Sequence, residues 1–167
     1  TMTLILNHTP ATDDWTLTLP ADGIEADELD VPDGKVIVPL ATWQAQAALH
    51  MRTDVGIWLP NTTEPEHVHL NWAAFPVIAL DFPRFTDGRS YSIAYLLRNR
   101  YGFKNQLRAV GDVLIDQLFY MSRVGFNAMK LRDDQKIDAA LRALNAFKTP
   151  YQGSTDESRP FFIRQEA

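Results

Sequence analysis

The stretch Val77–Phe82, VIALDF, decides how this chain folds. It is bounded by Pro76 and Pro83, too short for a helix, and apolar at nearly every position rather than at alternate ones. Such a run reads as a strand buried on both faces, the condition of a strand in a parallel sheet packed against helices. Upstream, Lys35–Pro39 (KVIVP) and Val55–Leu59 (VGIWL) have the same character. Downstream, Leu107–Val110 and Asn127–Leu131 continue the series.

Helix signals fill the gaps. Ala41–Met51 is rich in helix formers. Thr63-Glu64-Pro65-Glu66 has the form of a capping box, and its helix would run to about Ala73. Ser90 is placed to cap a helix over Tyr91–Tyr101 that stops at Gly102. Asp112–Val124 ends at Gly125, and Asp133 or Asp134 opens a last helix that runs to about Phe147. The alternation gives about five βα units between residues 35 and 147, hence an α/β domain with a mainly parallel sheet. Either an open doubly wound sheet or one curved into a partial barrel fits. Arg108 and Lys130 interrupt the last two strands, which leans toward the curve. Residues 1–34 are turn-rich, with strand-like Thr3–Asn7 and Thr16–Leu19, and read as an N-terminal extended or β arm (a β-ribbon) packed on the main domain. Residues 148–167 form a C-terminal tail, polar apart from Phe161-Phe162-Ile163, a segment suited to docking on its own domain or on a second copy in a homodimer.

The 167 residues carry 16 Lys and Arg against 21 Asp and Glu, a formal charge of −5, and no cysteine. The missing cysteines exclude disulfides, thiolate zinc sites, cysteine-held iron–sulfur clusters and thiol redox chemistry. An acidic balance without a basic stripe speaks against nucleic acid as a partner. The longest apolar run, Trp72–Leu80, is far short of the roughly 20 residues that span a bilayer. No basic-then-apolar leader is visible, so a cytoplasmic location is expected.

Ligands of parallel α/β folds bind beyond the carboxyl ends of the strands. That rim collects Asn61, Asp81, Arg84, Asp87, Arg89, Arg108, Asp112, Lys130 and Arg132. The loop after VIALDF is the densest part, with two arginines and two aspartates between Asp81 and Arg89. With a helix N-terminus beside them, Arg84 and Arg89 could grip an oxyanion; alternatively, the aspartates and arginines form a lattice that pins the loop. Asp112 reads either as a helix cap or as one of a carboxylate pair with Asp116, and Gln117 follows in the same helix. Asp81 and Asp112 are the candidate acid–base groups. Asn61, Arg84, Asp87, Arg89, Arg108, Gln117 and Lys130 are the candidate anion or ligand contacts. His67 and His69 would diverge by about 200° on a helix, which gives no metal site. Leu118, Phe119 and Ile115 read as a buried helix stripe, with Tyr120 turned outward.

The run 79–102, ALDFPRFTDGRSYSIAYLLRNRYG, followed by LRAVGDVLIDQLFYMSRVGFNAMKLR over 107–132, resembles an uncharacterised bacterial family labelled as oxidoreductases of sulfite reduction. The likeness is dense over 79–132 and looser over 35–147. Its motif falls on Asp81, Arg84, Asp87, Arg89, Arg108, Asp112 and Gln117, the same rim residues. The family's genes lie beside those of assimilatory sulfite reductase and adenylylsulfate reductase. The resemblance therefore implies an accessory protein of sulfur assimilation, a partner of sulfite reductase or of its electron donor. It transfers no catalytic residue. The alternative is a small enzyme that binds an anionic sulfur or phosphate metabolite at the rim. Since the chain has no redox group of its own, any electrons would travel on a bound cofactor, such as a noncovalent flavin, or within a partner.

Overall fold

Alternation along the apolar strands sorts their side chains onto the two faces of one sheet. The computed structural model describes residues 3–146. Its strands are β1 Leu4–Leu6, β2 Thr9–Ala11, β3 Thr16–Leu17, β4 Val36–Pro39, β5 Val55–Leu59, β6 Val77–Phe82, β7 Gln106–Gly111 and β8 Ala128–Lys130. Its α-helices are α1 Leu40–Ala45, α2 Arg89–Asn99, α3 Leu118–Val124 and α4 Ile137–Ala146. The strands form one sheet in the order β2-β1-β8-β7-β6-β5-β4-β3. From β3 to β8 every pairing is parallel, and β1 runs antiparallel to β8 and to β2.

Because β4 to β8 lie side by side in chain order, each right-handed crossover steps the same way, and all the connecting helices fall on one face. A doubly wound sheet would need the order to reverse at a switch point. There is none, so the open alternative gives way to a curled half-barrel. Chain length shows how tightly it curls. Laid flat, eight strands at about 4.8 Å spacing would put β2 and β3 some 34 Å apart. The chain passes from Ala11 on one edge to Thr16 on the other in five residue steps, which reach at most about 18 Å. The sheet must bend to bring its edges within that reach. Residues 12–15 then form a strap across the mouth of the curve.

The convex, helix-covered face holds the main core. Ile57, Leu59, Ile78, Leu80, Phe82, Leu107 and Met129 pack there against Ile93 and Leu97 of α2, Leu118 and Met121 of α3, and Leu144 of α4. Each such fully buried side chain contributes about 1.5–3 kcal/mol. Across the concave face, hydrogen-bonded neighbours run Trp58, Ala79, Arg108, Ala128, Leu6. Large and small residues alternate, which lets the inner surface close on a short radius.

Several local expectations change. The segment after Thr63 is not a helix: Thr63 Oγ1 donates to the Pro60 carbonyl at 2.7 Å instead of capping. Two short 3₁₀ turns, Pro65–His67 and Trp72–Ala74, follow, with Trp72 buried. The helix expected over Ala41–Met51 is broken at Gln46 into α1, which ends at Ala45, and a 3₁₀ segment over Ala47–Met51. Gln46 turns extended and its Nε2 donates to the carbonyls of Ala26 (3.1 Å) and Leu29 (2.8 Å), tying the N-terminal arm down. Ser90 lies inside the first turn of α2, where its Oγ donates to the Asp81 carbonyl at 2.5 Å. In the arm the structure adds β2, which carries Pro10, a residue that cannot donate to a ladder. As the outermost strand, however, it tolerates a residue without an N–H. Asn7 and His8, both with positive φ (52° and 68°), make the tight turn between β1 and β2. The C-terminal tail, with Phe161–Ile163, and the expected helix end at Phe147 lie outside the described residues.

Candidate functional site

The loop that leaves β6 turns back at once, because the Asp87 N–H bonds to the Arg84 carbonyl at 3.0 Å. The turn brings the Asp87 carboxylate to the start of α2, where it accepts the Arg89 main-chain N–H at 3.0 Å. The Arg89 guanidinium reaches the same carboxylate through Nε (3.2 Å) and Nη2 (2.8 Å), and Asn61 Nδ2, from the loop after β5, adds a bond at 2.6 Å. Arg89 and Asn61 together hold the Asp87 carboxyl at about 2, and Asp87 in turn raises the Arg89 guanidinium. The donors expected to hold an external anion thus converge on a carboxylate of the chain itself.

A second lattice lies beside the first. Asp112, expected as a helix cap or as one of a carboxylate pair, does not open a helix: the chain bends there, with the Val113 N–H on the Gly111 carbonyl at 2.9 Å, and the first helical turn is a 3₁₀ turn at Ile115–Gln117. Its Oδ2 accepts the Phe85 N–H at 2.9 Å and its Oδ1 accepts Arg132 Nη1 at 2.6 Å, so its carboxyl lies below the ordinary value. Arg132 also grips Asp134, at 2.7 and 2.9 Å, and holds that carboxyl at about 2. Gln117 Nε2 donates to the Phe85 carbonyl while its Oε1 accepts the Leu114 N–H. Phe85 is therefore fixed through both its main-chain groups, by Asp112 and by Gln117.

Two candidate residues at the rim stay outside these lattices. The Arg84 guanidinium makes no hydrogen bond or ion pair with a described residue. The half-buried Asp81 carboxyl likewise has no partner among them; burial pushes its pKa up, and nearby Asp87 adds to the rise.

Arg108 stands back from this rim, whereas Lys130, the last residue of β8, lies level with Val110 and Asp81. Arg108 lies on the concave face near the middle of β7, three residues and about 10 Å short of the strand's end. It bonds Asp13 of the strap through Nη1 at 2.9 Å and Gln106 through Nε at 2.9 Å. Lys130 Nζ lies 3.4 Å from the other Asp13 oxygen. Burial works against ionising Asp13, but the bond to Arg108 and the charges of Arg108 and Lys130 outweigh it and set its carboxyl below the ordinary value. Sequence reading missed Asp13 because nothing local marks a partner 95 residues away.

Of the surface aromatics, Tyr120 faces outward as its helix stripe predicts, and Phe85 is one that sequence reading did not single out. Phe85 is 49% exposed and Tyr120 54%. Tyr120 stacks edge-on with Tyr91 at 4.8 Å, and Tyr91 with the buried Phe82 at 5.0 Å. Burial, with Tyr120 adding, raises the Tyr91 hydroxyl to about 12. An aromatic set between Arg84 and Thr86 in a polar loop was the available signal for Phe85. His67 Nδ1 lies 2.6 Å from Glu64. Among the described residues there is no cluster of three or more metal-ligating side chains, and no helix is long and apolar enough to cross a membrane.

The model of a family described as a bacterial protein of unknown function, DUF934, matches residues 56–162, and the chain belongs to that family. No curated protein and no solved structure matches it.

Proposed function

We propose that this protein is a non-redox accessory factor of assimilatory sulfite reduction, which docks on sulfite reductase or on the reductase's electron donor. The observation that carries this reading is the contrast at the rim. Asp87, Arg89, Asn61, Asp112 and Arg132 are occupied with one another, while Phe85 is exposed next to Arg84, which has no partner among the described residues, and Tyr120 is exposed on α3, the helix that follows Gln117. Rigidly held exposed aromatics next to an arginine are the composition of an interface hot spot rather than of a reaction centre. The choice of partner rests on the resemblance of 79–132 to proteins encoded beside sulfite reductase, and it sets the work in the cytoplasm.

The test is binding to the purified reductase and to its donor from the same organism, by calorimetry. Binding that weakens at least tenfold in Phe85→Ala/Tyr120→Ala supports the reading. Absence of binding to either, with growth on sulfate unchanged when the gene is deleted, overturns it.

A second reading rests on Asp81, a half-buried carboxyl without a counter-ion among the described residues, at the end of a central strand. There it could act as an acid or base on an anionic sulfur or phosphate metabolite held by Arg84, or beside a bound flavin. Thermal stabilisation by sulfite, sulfate or FMN that is lost in Arg84→Ala would favour this enzyme over the docking factor.

A further inference from the structure

We propose that the concave face carries a binding site for a small, doubly charged inorganic oxyanion, built by Arg108 and Lys130 and closed in this structure by the Asp13 carboxylate of the strap. No residue of the docking patch takes part, so the two proposals stand or fall separately.

The argument begins with donors and acceptors. The Arg108 side chain is only 3% exposed. Of its three nitrogens, Nε is taken by Gln106 and Nη1 by Asp13, while Nη2 is buried with no partner among the described residues. A buried guanidinium nitrogen left without an acceptor is costly and uncommon. Asp13 does not serve it. Its Oδ1 already accepts both Arg108 Nη1 (2.9 Å) and the Trp15 N–H (3.0 Å), and its Oδ2 faces Lys130 Nζ at 3.4 Å. Charge is short as well: one carboxylate faces two cations, and Asp81, also on this face, pairs with neither. An anion with two charges and three or four oxygens corrects both deficits. It can take Nη1 and Nη2 together in the fork geometry of arginine and still reach Lys130.

Space and access fit the same ligand. The hydrogen-bonded neighbours of Arg108 on both sides are alanines, Ala79 and Ala128, so no bulky side chain stands beside it on the adjacent strands. Lys130 is 38% exposed, and Asp13 is the group between it and Arg108. At its far end the strap that carries Asp13 is held by exposed contacts, among them the Asp14–Lys35 ion pair at 2.8 Å. β3 has two residues, both exposed, and its ties to β4 include the Thr16 N–H to Lys35 carbonyl bond (3.1 Å) and the Thr18 N–H to Ile37 carbonyl bond (2.9 Å). Short, exposed pairings of this kind open at low cost. Half-buried Trp15, packed near Ile37, Val77, Ala79 and Val110, moves with the strap. Apparent affinity is set by how often the strap is open, so removing the competing charge raises it.

The experiment uses the full chain at constant ionic strength, with inorganic sulfate and phosphate as probes and chloride and acetate as controls. Sulfate and phosphate are expected to raise the melting temperature and to speed amide exchange over residues 12–18, while the controls do neither. Asp13→Asn, which keeps the shape and the acceptor for Trp15, is expected to lower the apparent Kd at least tenfold. Adding Lys130→Ala in that background is expected to abolish the response. Exchange over 12–18 that answers equally to chloride, or an Asp13→Asn protein indifferent to sulfate and phosphate, overturns the proposal and leaves Asp13 a purely structural counter-ion. Should Asp13→Asn fail to fold, the exchange readout on the unmodified chain decides alone.

Discussion

Arg98 Nε, on the last turn of α2, donates to the Gly125 carbonyl at the end of α3 at 2.8 Å, across a separation of 27 residues. Its Nη1 also serves the carbonyls of Phe103 (2.7 Å) and Asn105 (2.9 Å). One largely buried guanidinium, with its pKa pushed down to about 10 by burial, thus ties two helix ends to the entry of β7. Arg98→Met leaves three carbonyls short of a donor and should lower stability by about 3 kcal/mol, read by urea unfolding. Arg98→Lys, a single point donor without the fork, should recover less than half of the loss.

Asp81 should weaken the fold at neutral pH. Its carboxyl is raised in the folded protein, so the folded state holds the proton more tightly than the unfolded chain does. The penalty is absent below the unfolded value, grows as pH rises toward the folded value, and is full above it. Asp81→Asn should therefore raise the melting temperature at pH 7. The gain should vanish below about pH 3.5, where both states carry the proton. An equal gain at both pH values would contradict this assignment.

The rim lattices should make the protein sensitive to acid. Asp87 and Asp134 are each held at about 2 against an ordinary 3.8, and Asp112 is lowered as well. Their contribution is complete above the ordinary value and is lost as pH falls through the folded one. The urea midpoint should fall steeply between pH 4 and pH 2, and Asp87→Asn should flatten that slope while lowering the midpoint at pH 6.

Gly111 should not accept a side chain. Its φ is +96°, and a Cβ there would lie 2.5 Å from the Phe82 carbonyl oxygen and 2.8 Å from Asp81 Oδ1. Backbone strain and a clash with fixed main chain together should cost Gly111→Ala about 3 kcal/mol. Gly102 also has positive φ (+67°) but open space around it, so Gly102→Ala should cost only about 1 kcal/mol. Thermal denaturation of the two variants separates strain from contact.

The parallel body of the fold was legible because VIALDF, VGIWL and KVIVP are apolar on both alternating sets, and β6, β5 and β4 fall within a residue of where that pattern puts them. The expected caps fared worse than their helices: α2, α3 and α4 overlap the expected spans, but the capping side chains went to tertiary partners instead. Thr63 turned to Pro60, Asp112 to Phe85 and Arg132, and Ser90 to Asp81. The rim loop was found from its charge density, and its role in pinning the loop was one of the two readings offered. Arg108 stands back from the rim, and both it and Lys130 turn into the concave face, because a charge within a strand pattern does not declare which face it occupies. Only the strap, which brings Asp13 over the curve, decides that.

Residues 4–17 have one more consequence, for solubility. Through β1 and β2 they cover the free side of β8, and through β3 they cover the free side of β4, so one short N-terminal segment shields both flanks of the parallel sheet. Neither cover invites further growth: β2 carries Pro10, and β3 is two residues long. A chain cut before Val36 would expose two rows of unpaired main-chain groups at once, each beside an apolar strand. Such a chain could recruit copies of itself from both sides, which is the geometry of a fibre rather than of a closed dimer.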